Sequence, residues 1–352
     1  MYPWHSEQFN RLLELHAQRQ LPHALLLCGV SGSGVDDFVA ALVAALICRQ
    51  QDESADGCGH CEACLQHRAG SYPDCTVLTP DADARTVLSQ YPPQQSQQAG
   101  TSRKRMQMVI SVDQIRELIR RLQQTSHYGG YKIAVIMPAE AMTVEAANAL
   151  LKILEEPPIK TLFLLVSEQP LRLLATTRSR CHQIHLPNPG VLQVIEWLGE
   201  QYSSSDIEAA LTLTAGAPGL AEEILKAGEL KRWIEPLEQL SSLLNGDQTV
   251  IEVATAWEKQ DRAWLTRLLQ VWIYQLVSSL AKSAEPRSGA LSQQLRRQRE
   301  RVNLASLFEL LARLNALAGT VGMALNNRLV WEEVLILWQD QCRITTRKPA
   351  RT

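Results

Sequence analysis

No apolar run in this chain approaches the roughly 18 uninterrupted residues that a bilayer-spanning helix needs, so a transmembrane helix is not expected. The opening MYPWHSEQFN has neither a basic start nor an apolar stretch, so no secretory signal is expected either. A cytoplasmic location follows as the expectation. Thiols stay reduced there, and clustered cysteines are read as metal ligands before disulfides. A basic excess is also missing. The 35 Lys and Arg against 37 Asp and Glu leave a formal charge of -2, whereas a free-standing nucleic-acid binder usually shows a positive surplus. Aromatic residues are only 5% of the chain, and none interleave with basic residues as a base-stacking surface requires.

What is present is an ordinary globular composition, 45% hydrophobic and 20% charged over 352 residues, long enough for two or three domains. HALLLCG, His23 to Gly29, reads as a buried strand ending in glycine. After the loop Val30 to Gly34 comes DDFVAALVAALICRQ, a helix starting near Val35 with acidic residues in its first turn. Ile133 to Met137 and Thr161 to Ser167 are further strands, and the segment between them is helical until Pro157 and Pro158 stop it. This alternation predicts an α/β fold, a parallel sheet covered by helices.

Residues 81–107 break the pattern with a polar, Gln-rich segment, read as a surface insertion. Arg103, Lys104 and Arg105 within it are read as a solvated charge run. Beyond Pro187 the character turns helical, with apolar residues at three- and four-residue spacing in Trp264–Lys282 and Leu304–Gly319. A helical bundle core explains most of these. Arg296, Arg297, Arg299 and Arg301 are read as a solvated helix face.

The glycine loop has the frame of a phosphate-binding P-loop without its chemistry. The pattern G-x-x-x-x-G-K-[ST] uses backbone N–H groups to cradle phosphate, a lysine to neutralise it and a hydroxyl to hold magnesium. Here Gly29 and Gly34 keep their spacing, but Val35 stands in the lysine position and Asp36 in the hydroxyl position. An apolar side chain cannot offset triphosphate charge, and a carboxylate adds repulsion. The second strand should end in acidic residues that hold magnesium, yet it runs into Met137, Pro138 and Ala139, with Glu140 beginning the next segment. Two losses in one core point to a pseudo-ATPase.

Cys58, Cys61 and Cys64 form C-x-x-C-x-x-C, with Cys48 preceding them at the end of the expected helix. Four thiolates at such spacing suit a tetrahedral structural zinc site and leave no open catalytic position. His60, His67 and Cys75 are alternative fourth ligands, and Cys48 is favoured because a helix terminus is a fixed anchor. Cys28, Cys181 and Cys342 are isolated and read as packed small residues.

CGHCEAC, AGSYPDC, NALLKILEEPP (Asn148 to Pro158) and LLATTRSRC (Leu173 to Cys181) resemble, in order and spacing across most of residues 1–225, the AAA+ clamp-loader subunits of bacterial DNA polymerase III. The resemblance implies three domains: an AAA+ core over 1–188, with a zinc knuckle at 48–64 and the insertion at 81–107, a small helical lid over 189–230, and an all-α collar over 231–352. It implies structural zinc on Cys48, Cys58, Cys61 and Cys64.

Motor subunits of that family keep an intact P-loop, so the broken one resembles the non-hydrolysing member, with no ATP of its own. Its partners would be the gamma/tau motor and delta subunits in a hetero-pentamer, with the sliding clamp and primer-template DNA reached through the complex. Enzymatic activity would then belong to the polymerase holoenzyme. Ser179-Arg180-Cys181 matches the family's motif whose arginine is presented to ATP on a neighbouring subunit. A planar, permanent cation suits charge stabilisation on a transferring phosphoryl group, so Arg180 is the expected finger, ahead of Arg178. Gly219, in Gly216-Ala217-Pro218-Gly219, takes the place of a nucleotide-sensing arginine. Two other readings compete: an active ATPase with divergent contacts, opposed by Val35 and Met137, and a stand-alone zinc-containing nucleic-acid binder, opposed by the charge and aromatic balance.

Overall fold

The computed structural model describes residues 1–30, 32–50, 57–80, 109–281, 290–320 and 325–342. The chain divides into two compact units, Met1–Pro189 and Gly190–Thr352. The first is built on five strands: β1 (Ala24–Cys28), β2 (Cys75–Leu78), β3 (Lys132–Ile136), β4 (Thr161–Ser167) and β5 (His182–His185). They form one sheet in the order β2-β3-β4-β1-β5, every neighbouring pair parallel. Its helices are α1 (Ser6–Ala17), α2 (Val35–Ile47), α3 (Glu62–Arg68), α4 (Val112–Leu122), α5 (Val144–Glu155) and the short α6 (Ala175–Arg178).

Strands β1, β3 and β4 read as near-continuous apolar runs because both faces of the sheet are covered there, as parallel sheets require. Leu25 and Leu27 of β1, Ile133 and Val135 of β3, and Leu162 and Leu164 of β4 meet Phe9 of α1 and Phe38 and Leu42 of α2. The alternate residues Leu26, Ala134, Ile136, Phe163 and Leu165 meet Ile115 and Leu118 of α4 and Leu150, Ile153 and Leu154 of α5. Local chemistry sets the helix ends. Ser111 and Gln114 form a capping box on α4, Thr143 accepts the Ala146 N–H at the start of α5, and Pro157 and Pro158 follow its end. Asp74, just before β2, accepts from the Ser126 hydroxyl and the N–H groups of His127 and Tyr128, which ties the α4–β3 connection to the sheet.

The second unit is all helical: α7 (Val191–Leu198), α8 (Ser204–Leu213), α9 (Pro218–Lys226), α10 (Leu230–Asn245), α11 (Val250–Trp257), α12 (Arg262–Ala281), α13 (Ala290–Arg299), α14 (Leu304–Ala318) and α15 (Asn327–Cys342). A small cluster around Val194, Leu198, Ile207 and Ala221 joins α7, α8 and α9. A larger one spans α10–α15 and holds four fully buried tryptophans, Trp257, Trp272, Trp331 and Trp338. Trp272 donates its indole N–H to the Gln298 Oε1 at 2.8 Å, and Trp338 donates to the Leu240 carbonyl at 3.2 Å. Among the described residues no helix is long and apolar enough to cross a membrane.

Because Leu150 is fully buried between α5 and the sheet, Leu150→Ala should cost about 3 kcal/mol of unfolding free energy. The denaturant midpoint of the first unit reads it. A loss no larger than that of Glu145→Ala, on the exposed side of α5, would contradict this account of the core.

Candidate functional site

Strand β1 delivers the glycine loop to the C-terminal edge of the sheet, where β1 sends its helix to one face and β3 sends α5 to the other. This edge is where open α/β sheets place ligands. Gly29 ends the strand and donates its N–H to the Ser167 carbonyl at 3.3 Å. Gly34 caps α2 with φ of +91°, a conformation only glycine adopts without strain.

The interior of the loop is filled by the protein's own side chains. Val35 is buried and lies so close over Gly29 that a Cβ there would meet its Cγ2 at 2.4 Å. Ser33 is also buried, and its hydroxyl donates back to the Val30 carbonyl at 2.7 Å. The N-terminal residues close the loop from outside. Tyr2 is seated on Gly34, where a Cβ would come within 2.0 Å of its Cδ2. Trp4 stacks on Tyr2 at a centroid distance of 4.9 Å and donates its indole N–H to the Ser33 carbonyl at 3.1 Å. His5 is fully buried beneath them, its Nε2 3.2 Å from the Pro187 carbonyl. Sequence reasoning missed Tyr2, Trp4 and His5. The available signal was the dense YPWH cluster in a chain poor in aromatics.

Asp36 lies in the first turn of α2 and is exposed. Desolvation of its carboxyl among the loop atoms, then the like charges of Asp37 and Glu168, push its pKa up to about 6. At neutral pH it remains mostly a carboxylate, and the segment Gly29 to Asp36 contains no cation. Such a loop offers an anion backbone N–H groups and nothing to offset its charge.

The end of β3 is apolar, as the sequence indicated. Met137 is buried and donates its N–H to the Leu78 carbonyl at 2.9 Å. Pro138 follows through a cis peptide bond. Glu140 lies in the next turn, Ala139–Ala141, where one carboxylate oxygen accepts from the N–H groups of Glu168 and Gln169 at 3.0 and 3.1 Å. That oxygen is committed to the backbone after β4, while the other, Oε2, is buried without a hydrogen-bond partner among the described residues.

The Ser179-Arg180-Cys181 motif occupies the turn between α6 and β5. Cys181 is buried in the core on the α5 side, where burial first and then Cys28 raise its thiol pKa to about 11. The Ser179 hydroxyl donates to the Thr176 carbonyl at 3.0 Å. Arg180 donates through Nη1 to the same carbonyl at 2.8 Å and through Nε to the Glu155 Oε1 at 2.6 Å, with Nη2 on that oxygen as well. Its side chain remains 32% exposed. Arg178 donates to the Pro170 carbonyl at 3.2 Å.

The sulfur atoms of Cys48, Cys58, Cys61 and Cys64 all lie within 4.8 Å of one another. The N–H groups of Cys58 and Cys61 donate to the sulfurs of Cys48 and Cys58, both at 3.3 Å, and that of Cys64 to Cys61 at 3.5 Å. Gly57 (φ +65°) permits the approach, since a Cβ there would lie 3.0 Å from the Cys64 sulfur. The four sulfurs therefore stand at metal-binding distance. His60 instead approaches the Cys58 carbonyl at 2.6 Å, His67 engages the backbone at Ala40, and Cys75 is buried in the core at the start of β2.

In the second unit Gly216 (φ +86°) turns the chain into α9, with Gly219 in its first turn. Arg296, Arg297 and Arg301 are exposed, and Arg301 donates to Asn245 at 2.8 Å. Arg103, Lys104 and Arg105, with the rest of 81–107, and the Cys342 side chain lie outside the described residues.

A family model described as DNA polymerase III, delta subunit, matches residues 4–190. The protein named DNA polymerase III subunit delta' from Pseudomonas aeruginosa is 35% identical over 260 residues, 73% of this chain and 71% of that one. The protein of the same name from Escherichia coli is 36% identical over 222 residues, 62% of this chain and 59% of its own. Among solved structures, a DNA polymerase III gamma subunit-related protein from Thermotoga maritima aligns over 94% of this chain and 99% of its own, at 15% identity and a TM-score of 0.44.

The raised pKa of Asp36 has a consequence for stability. Between about pH 4 and 6 the unfolded chain has released this proton while the folded one retains it, so stability falls as pH rises through that window and levels off above it. Asp36→Asn removes the titration. Its melting temperature should exceed the wild type's at pH 8, with the gap closing by pH 4. An equal gap at both pH values would show that the carboxyl is not strained in the loop.

Proposed function

The chain belongs to the DNA polymerase III delta-subunit family and, within it, to the delta' subunits, and from that premise we propose that it is the non-hydrolysing stator of the clamp loader. The observation that carries this reading is the filled glycine loop. Val35 and Ser33 occupy its interior, and Tyr2 and Trp4 cover it. An ATP phosphate would have to displace packed side chains and then face Asp36 without a cation. Calorimetry with millimolar Mg-ATP on the isolated chain should show no binding heat, and a clear magnesium-dependent isotherm would restore the ATPase reading.

What this subunit contributes to hydrolysis is then Arg180, presented to ATP held by a neighbouring motor subunit. Supporting this are the partial exposure of its side chain, its seat on a turn anchored by buried Cys181, and the match of the surrounding motif. Residues 189–230 would act as the lid and 231–352 as the collar that joins the motor and delta subunits. Contact with the sliding clamp and primed DNA would come through the assembled complex. An arginine finger is worth roughly 10³-fold or more at the site it serves. Arg180→Ala should therefore leave assembly intact while DNA-stimulated hydrolysis by the reconstituted complex loses that site's share. Undiminished hydrolysis with normal clamp loading would rule the finger out.

The cysteine cluster would hold one structural zinc through Cys48, Cys58, Cys61 and Cys64, linking the end of α2 to the start of α3. Four thiolates leave no open coordination position, so the site adds stability and no reaction. Metal analysis after gel filtration should find about one zinc per chain, and Cys61→Ser should lose it with a lowered melting temperature. A metal-free preparation of wild-type stability would contradict this assignment.

A further inference from the structure

The side chain that holds Arg180 comes from a different motif. Glu155 is the last residue of α5, in the run NALLKILEEPP. Its Oε1 accepts from both Nε and Nη2 of Arg180, while the Thr176 carbonyl accepts from Nη1. A guanidinium has five N–H groups, so these contacts leave one N–H on each Nη uncommitted to any described residue. The head of the side chain is thus fixed along one edge and still able to donate to a second oxyanion.

Two features argue that this contact exists for orientation. The pair is partly open to water, with 32% of the Arg180 side chain and 50% of the Glu155 side chain exposed, and ion pairs in contact with solvent add little to stability. In addition, a carboxylate at the C-terminal end of a helix faces the negative end of the helix dipole, a poor place for it unless a cation answers. Glu155 is also a firm support. Thr143 caps the start of α5, Leu150, Ile153 and Leu154 seat the helix in the core, and Pro157 and Pro158 end it. A long arginine held by such an element gives up less freedom when it docks on a neighbour.

We infer that Glu155 is the positioning residue of the finger, presetting the guanidinium of Arg180 for the phosphates of a neighbouring subunit's ATP. This rests on the reading of Arg180 given above, and the test separates the two. Glu155→Ala, Glu155→Gln, Glu155→Asp, Arg180→Ala and the double variant Arg180→Ala/Glu155→Ala are each assembled with the partner subunits. Steady-state ATP hydrolysis is then measured with clamp and primed DNA. Glu155→Ala should remove most of the rate lost in Arg180→Ala, with KM for ATP within about twofold of wild type, because the neighbour binds the nucleotide. The amide oxygen of Glu155→Gln still accepts from Nε and Nη2, so that variant should regain at least half of the loss. Glu155→Asp keeps the charge but withdraws the acceptor by one methylene, so it should be slow. The double variant should be no slower than Arg180→Ala, since a residue that acts only through another shows no independent effect.

A wild-type rate for Glu155→Ala beside a slow Arg180→Ala would overturn the positioning role and leave the finger standing. A wild-type rate for Arg180→Ala would remove the finger and this inference with it. A fast Glu155→Asp with a slow Glu155→Gln would assign the effect to charge and sink the geometric argument. Should Glu155→Ala fail to assemble, the Gln and Asp variants decide by themselves.

Discussion

A strand between two parallel neighbours must have both faces covered, and β1 meets that demand with Leu25 and Leu27 on one side and Leu26 on the other. The helices that cover the sheet must then cross back over it, and their connections gather at the C-terminal edge of the strands. The glycine loop after β1, Met137 after β3 and the backbone after β4 clamped by Glu140 all lie on this edge. Displacing the ends of β1, β3 or β4 would open a core in which their residues are almost wholly inaccessible.

On that edge the glycine loop has the spacing of a P-loop without a cation in it. In a nucleotide site the loop is held open against a phosphate. Here packing takes over. Val35 adds roughly 1.5–3 kcal/mol of apolar burial, the Ser33 hydroxyl returns to the backbone, and the stacked Tyr2 and Trp4 cover the turn. A lysine at position 35 would have to leave this contact to keep its ammonium hydrated. The glycines persist for steric reasons: side chains of the protein now occupy the space above Gly29 and Gly34.

The contrast with Arg180 is instructive. Its neighbours Thr177 and Cys181 are buried and hold the turn, whereas the guanidinium stays partly in water with Glu155 beside it. A buried arginine would be unavailable to a partner, and a fully free one would have to be ordered at each encounter. The cysteine cluster lies at the far end of α2, where four thiols meet from the C-cap of that helix, the turn through Gly57 and Gly59, both at positive φ, and the start of α3.

Much of this was legible in the chain. β1, β3, β4 and α5 declared themselves through continuous apolar runs and the Pro157-Pro158 stop, and the triplet spacing of Cys58, Cys61 and Cys64 announced ligand chemistry. β2 and β5 did not. CTVL is short, and HQIH carries two histidines on an edge strand with three of its four residues exposed, so neither has a pattern apart from its neighbours. The same holds for the site. Val35, Asp36 and Met137 are local facts, readable because each differs from the residue type that the P-loop pattern or its acidic strand end uses there. The packing of Tyr2 on Gly34 and the hold of Glu155 on Arg180 join residues 32 and 25 positions apart. The sequence alone determined which residue types stand at the glycine loop and at the end of β3, because chemistry is a property of residue type. Only the tertiary structure decided what packs around them, because packing and hydrogen bonding depend on which distant segments the fold brings into contact.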